Sequence, residues 1–348
     1  MALTIVEGAR PITGGVDTHR DVHVAAALDP IGGLLGVESF PTTPKGYKAL
    51  AAWLGSFGDV SKVGVEGTGT YGAGLARFLQ QSGIEVLEVN RPNRQARRLN
   101  GKSDPLDAVE AARAALSGQA RATAKTRDGR VEAIRALLVA KRSARHARIR
   151  ALNQIRHLVA TGPEGLRARL KRASSDTLAG DVARLRPRPG DPVEFGTRLA
   201  LATLGRRVLG LEQEMARLDE VITELVTEVA PGLLEVYGVG VDTAAVLLAA
   251  AGDNADRVRS EAAFARLCGV APLPATSGLK NNRHRLSRGG DRQANQALWR
   301  IVMTRLALDP RTRDYVERRT KEGLSKREII RVLKRYVAHE VYRHLPRP

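Results

Sequence analysis

One cysteine stands in 348 residues, and Cys268 alone can neither close an intramolecular disulfide nor build a multi-cysteine zinc site. That usage fits a reducing compartment. Aromatic residues are scarce at 4%, against 43% hydrophobic residues overall, so the cores must be built mainly from Ala, Leu and Val. This apolar content excludes a mostly disordered chain. No uninterrupted apolar run approaches the ~20 residues that a bilayer-spanning helix needs. The opening MALTIVEGARPITGGVD lacks the basic start and apolar stretch of a signal peptide. The absences together point to a soluble, cytoplasmic protein with no membrane partner. Its length suggests two or three domains.

What is abundant is positive charge. The formal net charge is +19, and it is unevenly placed. From Arg91 to Arg156 there are 17 Lys/Arg against 5 Asp/Glu, and from Lys280 onward 19 against 7. Each segment carries an excess of +12, so the rest of the chain is slightly acidic. An Arg-rich proteome would raise arginine everywhere. Concentrated charge instead suits a polyphosphate partner, whose counterions are released on binding.

The chain reads in three parts. Residues 14 to 90 alternate short apolar runs with helical patterns, implying an α/β layer. GVDTHRDVHVAAALD and GLLGVESF read as a β-hairpin turning near Pro30, Gly32 and Gly33. KVGVE and IEVLEVN read as short strands, and residues 104 to 119 as an Ala-rich helix. In the middle, residues 129 to 160 form a long basic helix. TGPEG and RPRPGDP mark loops. The helix after them spaces Leu204, Val208, Leu211, Met215, Leu218, Ile222 and Leu225 alternately four and three apart, a coiled-coil seam weakened at its start by Gly205 and Gly210. It is expected to pair antiparallel with the preceding long helix and to dimerise. In the last part, Gly238-Val239-Gly240 sits between apolar helices and resembles a helix-hairpin-helix, whose turn offers N–H groups to a phosphate; an ordinary glycine turn reads equally well. The expected domains are 12–125, 126–230 and 231–348.

Four carboxylates stand where metal-assisted phosphoryl transfer would need them. Asp17 lies in the first strand, Glu66 ends KVGVE before a glycine turn, and Asp104 and Asp107 are three apart at a helix start. Singly, each has a bland alternative. Asp17 reads as a turn residue, Glu66 as an arginine partner, Asp104 as an N-cap and Asp107 as its first-turn follower. As a set, first strand, later strand and helix is the layout of an RNase H-like nuclease.

The stretches GVDTHRD, GVEGTGTYG and GKSDPLDA resemble the N-terminal domain of the DEDD transposases of IS110-type insertion sequences, a family related to the Piv DNA invertases. That domain is similar to RuvC resolvases. GVGVDTAAVLLAAAGD, FARLCGVAPLPATSG and RLSRGGDRQANQAL resemble the family's second domain, which RuvC resolvases lack. The resemblance implies an RNase H-like (RuvC-like) α/β domain, a helical coiled-coil middle and a mostly α-helical C-terminal domain. It implies that Asp17, Glu66, Asp104 and Asp107 hold two Mg2+ ions, with Mn2+ as a substitute. It also implies that Ser277 of Ser277-Gly278 is the nucleophile, although Thr276 stands where relatives often carry another serine. Arg283, His284, Arg285 and Arg288 follow it, and arginine suits bidentate phosphate contact. His19 and Asp21 receive no role beyond supporting Asp17.

The expected activity is metal-assisted cleavage and rejoining of DNA strands through a covalent phosphoserine. The expected partners are donor and target DNA, an element-encoded noncoding guide (bridge) RNA, and further copies of the chain in a dimer or tetramer. Both nucleic acids place the working protein at a bacterial nucleoid. Three rival readings accompany this one. They are a RuvC-like nuclease attacking with water, a Piv-like site-specific invertase, and a non-enzymatic nucleic-acid-binding protein.

Overall fold

The computed structural model describes residues 10–89, 103–171, 174–254, 257–274, 284–286 and 289–346. The chain divides into two compact units. One runs to Gly129 and includes Ala251–Arg259, and the other takes Arg130–Ala250 and Ser260–Pro346.

The first unit is built on a six-stranded sheet. Its strands are β1 (Pro11–Thr18), β2 (Val22–Leu28), β3 (Leu34–Pro41), β4 (Asp59–Glu66), β5 (Glu85–Val89) and the short β6 (Ala122–Thr123), in the order β3-β2-β1-β4-β5-β6. The stretch expected as one arm of a hairpin is two strands. The chain turns after Thr18, so β1, β2 and β3 form an antiparallel meander. Arg20 and Asp21 occupy that turn, and their charged, exposed side chains have no place in a buried strand. β4 and β5 then add in parallel, as alternation with helices requires.

Helices cover both faces. Against one face lie α1 (Pro44–Gly55) and α2 (Ala73–Gln81), whose Leu50, Leu54, Leu75 and Leu79 pack on Val16, Val63, Val65 and Val86. Against the other lies α3 (Asp104–Leu116), with Ala108 and Val109 on Val24 and Ala26, and Ala111 and Ala115 on Leu87 and Val89. The alanines that α3 buries, Ala108, Ala111, Ala112 and Ala115, let it sit low on the sheet. This mixed sheet between helices is consistent with an RNase H-like domain.

The second unit is helical apart from a small ribbon of β7 (Pro272–Pro274) with β8 (His284–Leu286). Two long helices dominate it, α4 (Arg130–Thr161) and α7 (Pro192–Val229). Arg130 pairs with Glu228 at 2.5 Å, Lys141 with Asp219, and Arg148 with Glu212 at 2.6 Å. Numbers that rise on one helix as they fall on the other require antiparallel packing. The stretch between them, which the sequence marks only by its loops, holds α5 (Glu164–Leu170) and α6 (Ser175–Ala183). Leu166, Leu170, Leu178 and Val182 pack there on Ile155, Leu201 and Val208. Gly205 has a packing reason. A Cβ on it would come within 2.7 Å of the backbone of α6, at Ala179 and Ala183.

The remaining helices are α8 (Pro231–Glu235), α9 (Val241–Ala251), α10 (Glu261–Leu267), α11 (Arg292–Leu308), α12 (Pro310–Lys321) and α13 (Lys326–Arg343). α11 and α13 pack together, and the buried Lys334 donates to Asn295 Oδ1 at 2.9 Å. Among the described residues no helix is long and apolar enough to cross a membrane.

A candidate metal centre in the first unit

Two glycines set the site. Gly15 of β1 and Gly64 of β4 are register partners on neighbouring parallel strands. A Cβ on Gly15 would lie 2.1 Å from the backbone nitrogen of Ala112 and 2.3 Å from the carbonyl oxygen of Ala108. One on Gly64 would lie 2.4 Å from the carbonyl oxygen of Ala111. Both therefore face α3, whose backbone rests directly on the strands.

Strand alternation fixes what comes next. Asp17 and Glu66, two residues beyond the glycines, project to the same side. On α3, Asp104 is one turn before Ala108, and Asp107 one turn before Ala111. A helical turn of ~5.4 Å is close to the ~6.6 Å advance of two strand residues, so the first turn of α3 lies at the strand ends that carry Asp17 and Glu66. At this end of the sheet Asp104 and Asp107 both act on the Asp17 carboxyl, while Glu66 lines a cleft with Asp107.

Each acid is placed by local chemistry. Ser103 is the N-cap of α3 with extended backbone, and Pro105 follows in the first turn. Asp104 is therefore the first helical residue rather than the cap, which leaves its carboxylate to the site. Asp107 is 2% exposed and Asp17 7%. Glu66 ends β4 because Gly67 adopts a left-handed φ of +69°, which swings the chain away. The Thr18 hydroxyl donates to the Glu66 carbonyl at 2.8 Å and ties the two strand ends together.

Asp17 feels its neighbours. Burial pushes its carboxyl above the ordinary range, His19 pulls it back, and Asp107 and Asp104 push it up further. His19 Nε2 lies 3.1 Å from Asp17 Oδ2 and 3.2 Å from Asp104 Oδ1, between the two carboxylates. Ligand atoms of Asp17, His19 and Asp104 all fall within 4.8 Å of one another. Glu66 and Asp107 line an open cleft of about 720 Å³ along α3, together with Glu110 and Arg113. Such crowding suits a divalent cation, which would offset the burial and the repulsion that together hold the Asp17 carboxyl up.

His19 is the residue that sequence reasoning undervalued. Its only signal is position, two residues after Asp17 and hence on the same side of the strand end. Ser277, Arg283 and Arg288 lie outside the described residues. Arg285 stands in β8, in register with Leu273. Gly238 has a left-handed φ of +80°, while the Gly240 N–H donates to Thr243 Oγ1 at 3.1 Å within the second unit.

With this geometry in place, comparison with known proteins decides the family. A family model for the IS110 DEDD transposase domain, described as a transposase, matches residues 14–162. A second, described as the transposase IS116/IS110/IS902 family, matches residues 230–317. The chain belongs to the IS110-type DEDD transposase family. The two matches together take in about two thirds of the chain, and the first contains all four acids.

Two curated relatives are similar to this IS110-type chain. An uncharacterized 43.6 kDa protein of insertion element IS110 from Streptomyces coelicolor is 29% identical over 127 residues, 36% of this chain and 31% of the relative. An uncharacterized 42 kDa protein of insertion element IS900 from Mycobacterium paratuberculosis is 28% identical over 137 residues, 39% of this chain and 34% of the relative. The matched segments thus span about a third of each relative.

Proposed function

We propose that this chain is a DNA recombinase of the transposase type, cutting and rejoining DNA strands at Asp17, Glu66, Asp104 and Asp107. The observation that supports it is that Asp104 and Asp107, at one helix start, both act on the strand-end carboxylate of Asp17, with Asp104 within ligand distance of it. A donor set of carboxylate oxygens fits Mg2+, with Mn2+ as a substitute, and four acids suffice for two ions. The bound metal would supply Lewis-acid polarisation of a phosphate oxygen and lower the pKa of a coordinated hydroxyl.

In this reading the acids bind the metal and His19 orients Asp17 and Asp104. Ser277 is the nucleophile that family kinship supplies. Its Oγ bonds to phosphorus as one P–O ester bond of the DNA backbone breaks, and the freed end leaves as a hydroxyl. Attack by the hydroxyl of another strand restores the serine and closes a new phosphodiester. The ester energy is kept in the phosphoserine, so rejoining requires no nucleotide cofactor. Arg283, Arg285 and Arg288 steady the phosphate charge. The Gly238–Gly240 turn is proposed as a backbone contact to a DNA phosphate.

Kinship further supports a guide RNA and a homo-oligomer, with the α4–α7 pair as the coiled-coil element between copies. The functional division at 126 and 231 is kept on the same ground.

The test combines the purified chain, the RNA that co-purifies with it from its host, and DNA flanking its gene. Metal-dependent cleavage and rejoining is expected, and D17A or D107A should abolish it. Loss of rejoining with S277A supports the serine mechanism. Normal cleavage by S277A would instead establish a nuclease using water. Undiminished activity of D17A and D107A would remove the metal centre altogether.

A further inference from the structure

The chain holds only six tyrosines, yet Tyr237, Tyr315 and Tyr336 line one cleft of the second unit, with a volume of about 540 Å³. Tyr237 and Tyr336 are 52% and 54% exposed, so two large rings reach solvent at this cleft. Tyr315 meets Tyr336 edge to face, with centroids 6.2 Å apart, and the Arg318 guanidinium lies 5.4 Å from the Tyr315 centroid.

Among the described residues, the charged groups of the cleft divide into engaged and free. Arg305 grips Glu340 through both terminal nitrogens, at 2.6 and 3.2 Å, and donates to the Tyr237 carbonyl at 2.9 Å. Asp309 caps α12, accepting from the Arg311 and Thr312 amides and from the Thr312 hydroxyl. Both carboxylates are therefore spoken for. Arg311 remains as an exposed cation at the rim, on a helix that carries five basic residues against two acidic ones.

We propose that this cleft binds single-stranded nucleic acid, taking an unpaired base onto Tyr237 and Tyr336 while Arg311 meets the adjoining phosphate. Aromatic faces attract any base because every base has a π-face, and the basic rim supplies the attraction for the backbone. A duplex is a poor occupant, since its bases are already stacked. The inference rests on the proposed function only for the class of partner. Its test reads binding rather than cutting, so a chain that binds through these tyrosines and cuts nothing upholds it while sinking the recombinase reading.

The full chain is titrated by fluorescence anisotropy with oligothymidylate, oligouridylate and a duplex of equal length. Y237A and Y336A should each weaken a single-strand complex roughly five- to a hundredfold, while Y237F and Y336F keep it and duplex affinity is unchanged. Loss confined to oligouridylate assigns RNA, loss confined to oligothymidylate assigns DNA, and either upholds the cleft. Unchanged single-strand affinity in both Ala variants overturns it, as does equal loss on the duplex. Retained oligonucleotide binding with lost self-association would make the cleft a protein-docking surface and overturn it too. If an Ala variant melts early, photocrosslinking of 5-iodouracil oligonucleotides to the native chain decides, with adducts expected on these tyrosines and adducts only elsewhere refuting the site.

Discussion

A Cβ on Gly15 would sit 2.1 Å from the backbone nitrogen of Ala112, so α3 rests on β1 with no side chain between them. This closeness carries Asp104 and Asp107 to the sheet end where Asp17 and Glu66 stand.

Gly15→Ala should therefore damage the site without touching an acid. The helix must lift by more than an ångström, an overpacking penalty of about 3 kcal/mol or more. Gly14→Ala makes the control, because a Cβ there meets only movable side-chain atoms of Leu54 and Val63 at 3.0 Å and beyond. Denaturant unfolding should show the larger loss for Gly15, accompanied by loss of metal-dependent activity. Equal and small losses at both positions would contradict the close approach.

Asp17→Asn should stabilise the metal-free chain and inactivate it. Burial and the neighbouring acids hold the Asp17 carboxyl above its ordinary 3.8. The folded state thus binds its proton more tightly than the unfolded state does. That contribution is present below pH 3.8 and is lost as pH rises through the folded value. At neutral pH in chelator, Asn should raise the melting temperature, and added Mg2+ should stabilise only the native chain. A lower melting temperature for the variant in chelator would reject this account.

His23 supplies the opposite pH dependence. It is fully buried, stacked on Tyr47 with centroids 5.8 Å apart, and opposite Thr18 across the β1–β2 pair. Burial, with repulsion from His19, lowers its pKa from 6.5 to about 4. The unfolded state binds the extra proton, so stability present above pH 6.5 is lost as pH falls toward about 4. The loss is on the order of 1–3 kcal/mol. His23→Phe keeps the stacking and should flatten the unfolding profile between those limits. A profile as steep as that of the native chain would assign the acid sensitivity elsewhere.

Lys141 ties three helices of the second unit. Its side chain is 13% exposed and pairs with Asp219 of α7 and Asp242 of α9, and those partners raise its pKa despite burial. Lys141→Ala leaves two neighbouring carboxylates without their cation and should cost about 2–4 kcal/mol. Lys141→Met restores the stem but not the charge, so it should recover only part. Chemical denaturation of the two variants separates packing from charge, and a fully restored Met variant would show the pair to be energetically neutral.

Much of this protein is legible in its residues, and the part that is not has identifiable causes. The strand alternation, the long amphipathic helices and the clustered charge are local or additive properties, so periodicity and counting reach them. The four acids could be picked out because Asp17 and Glu66 sit at strand ends, Asp104 stands beside Pro105 at a helix start, and Asp107 follows it three residues on. The break at Arg20 and Asp21 escaped because a short polar turn between like apolar runs leaves little signal. Helices α5 and α6 escaped for another reason: each is too short for a periodic pattern, and they hold their shape in the core they share with α4 and α7.

Sequence alone supplied the candidate acids, most of the sheet's apolar runs and the family, since those follow from residue type, order and spacing. Only the tertiary structure decided how they meet. Gly15 and Gly64 show no chemistry of their own, and their meaning is a distance to a helix far along the chain. His19 gains its place only once Asp104 arrives beside Asp17. The tyrosine cleft likewise joins residues about a hundred positions apart. Contacts between distant segments depend on packing, and packing is not written in any local run of residues.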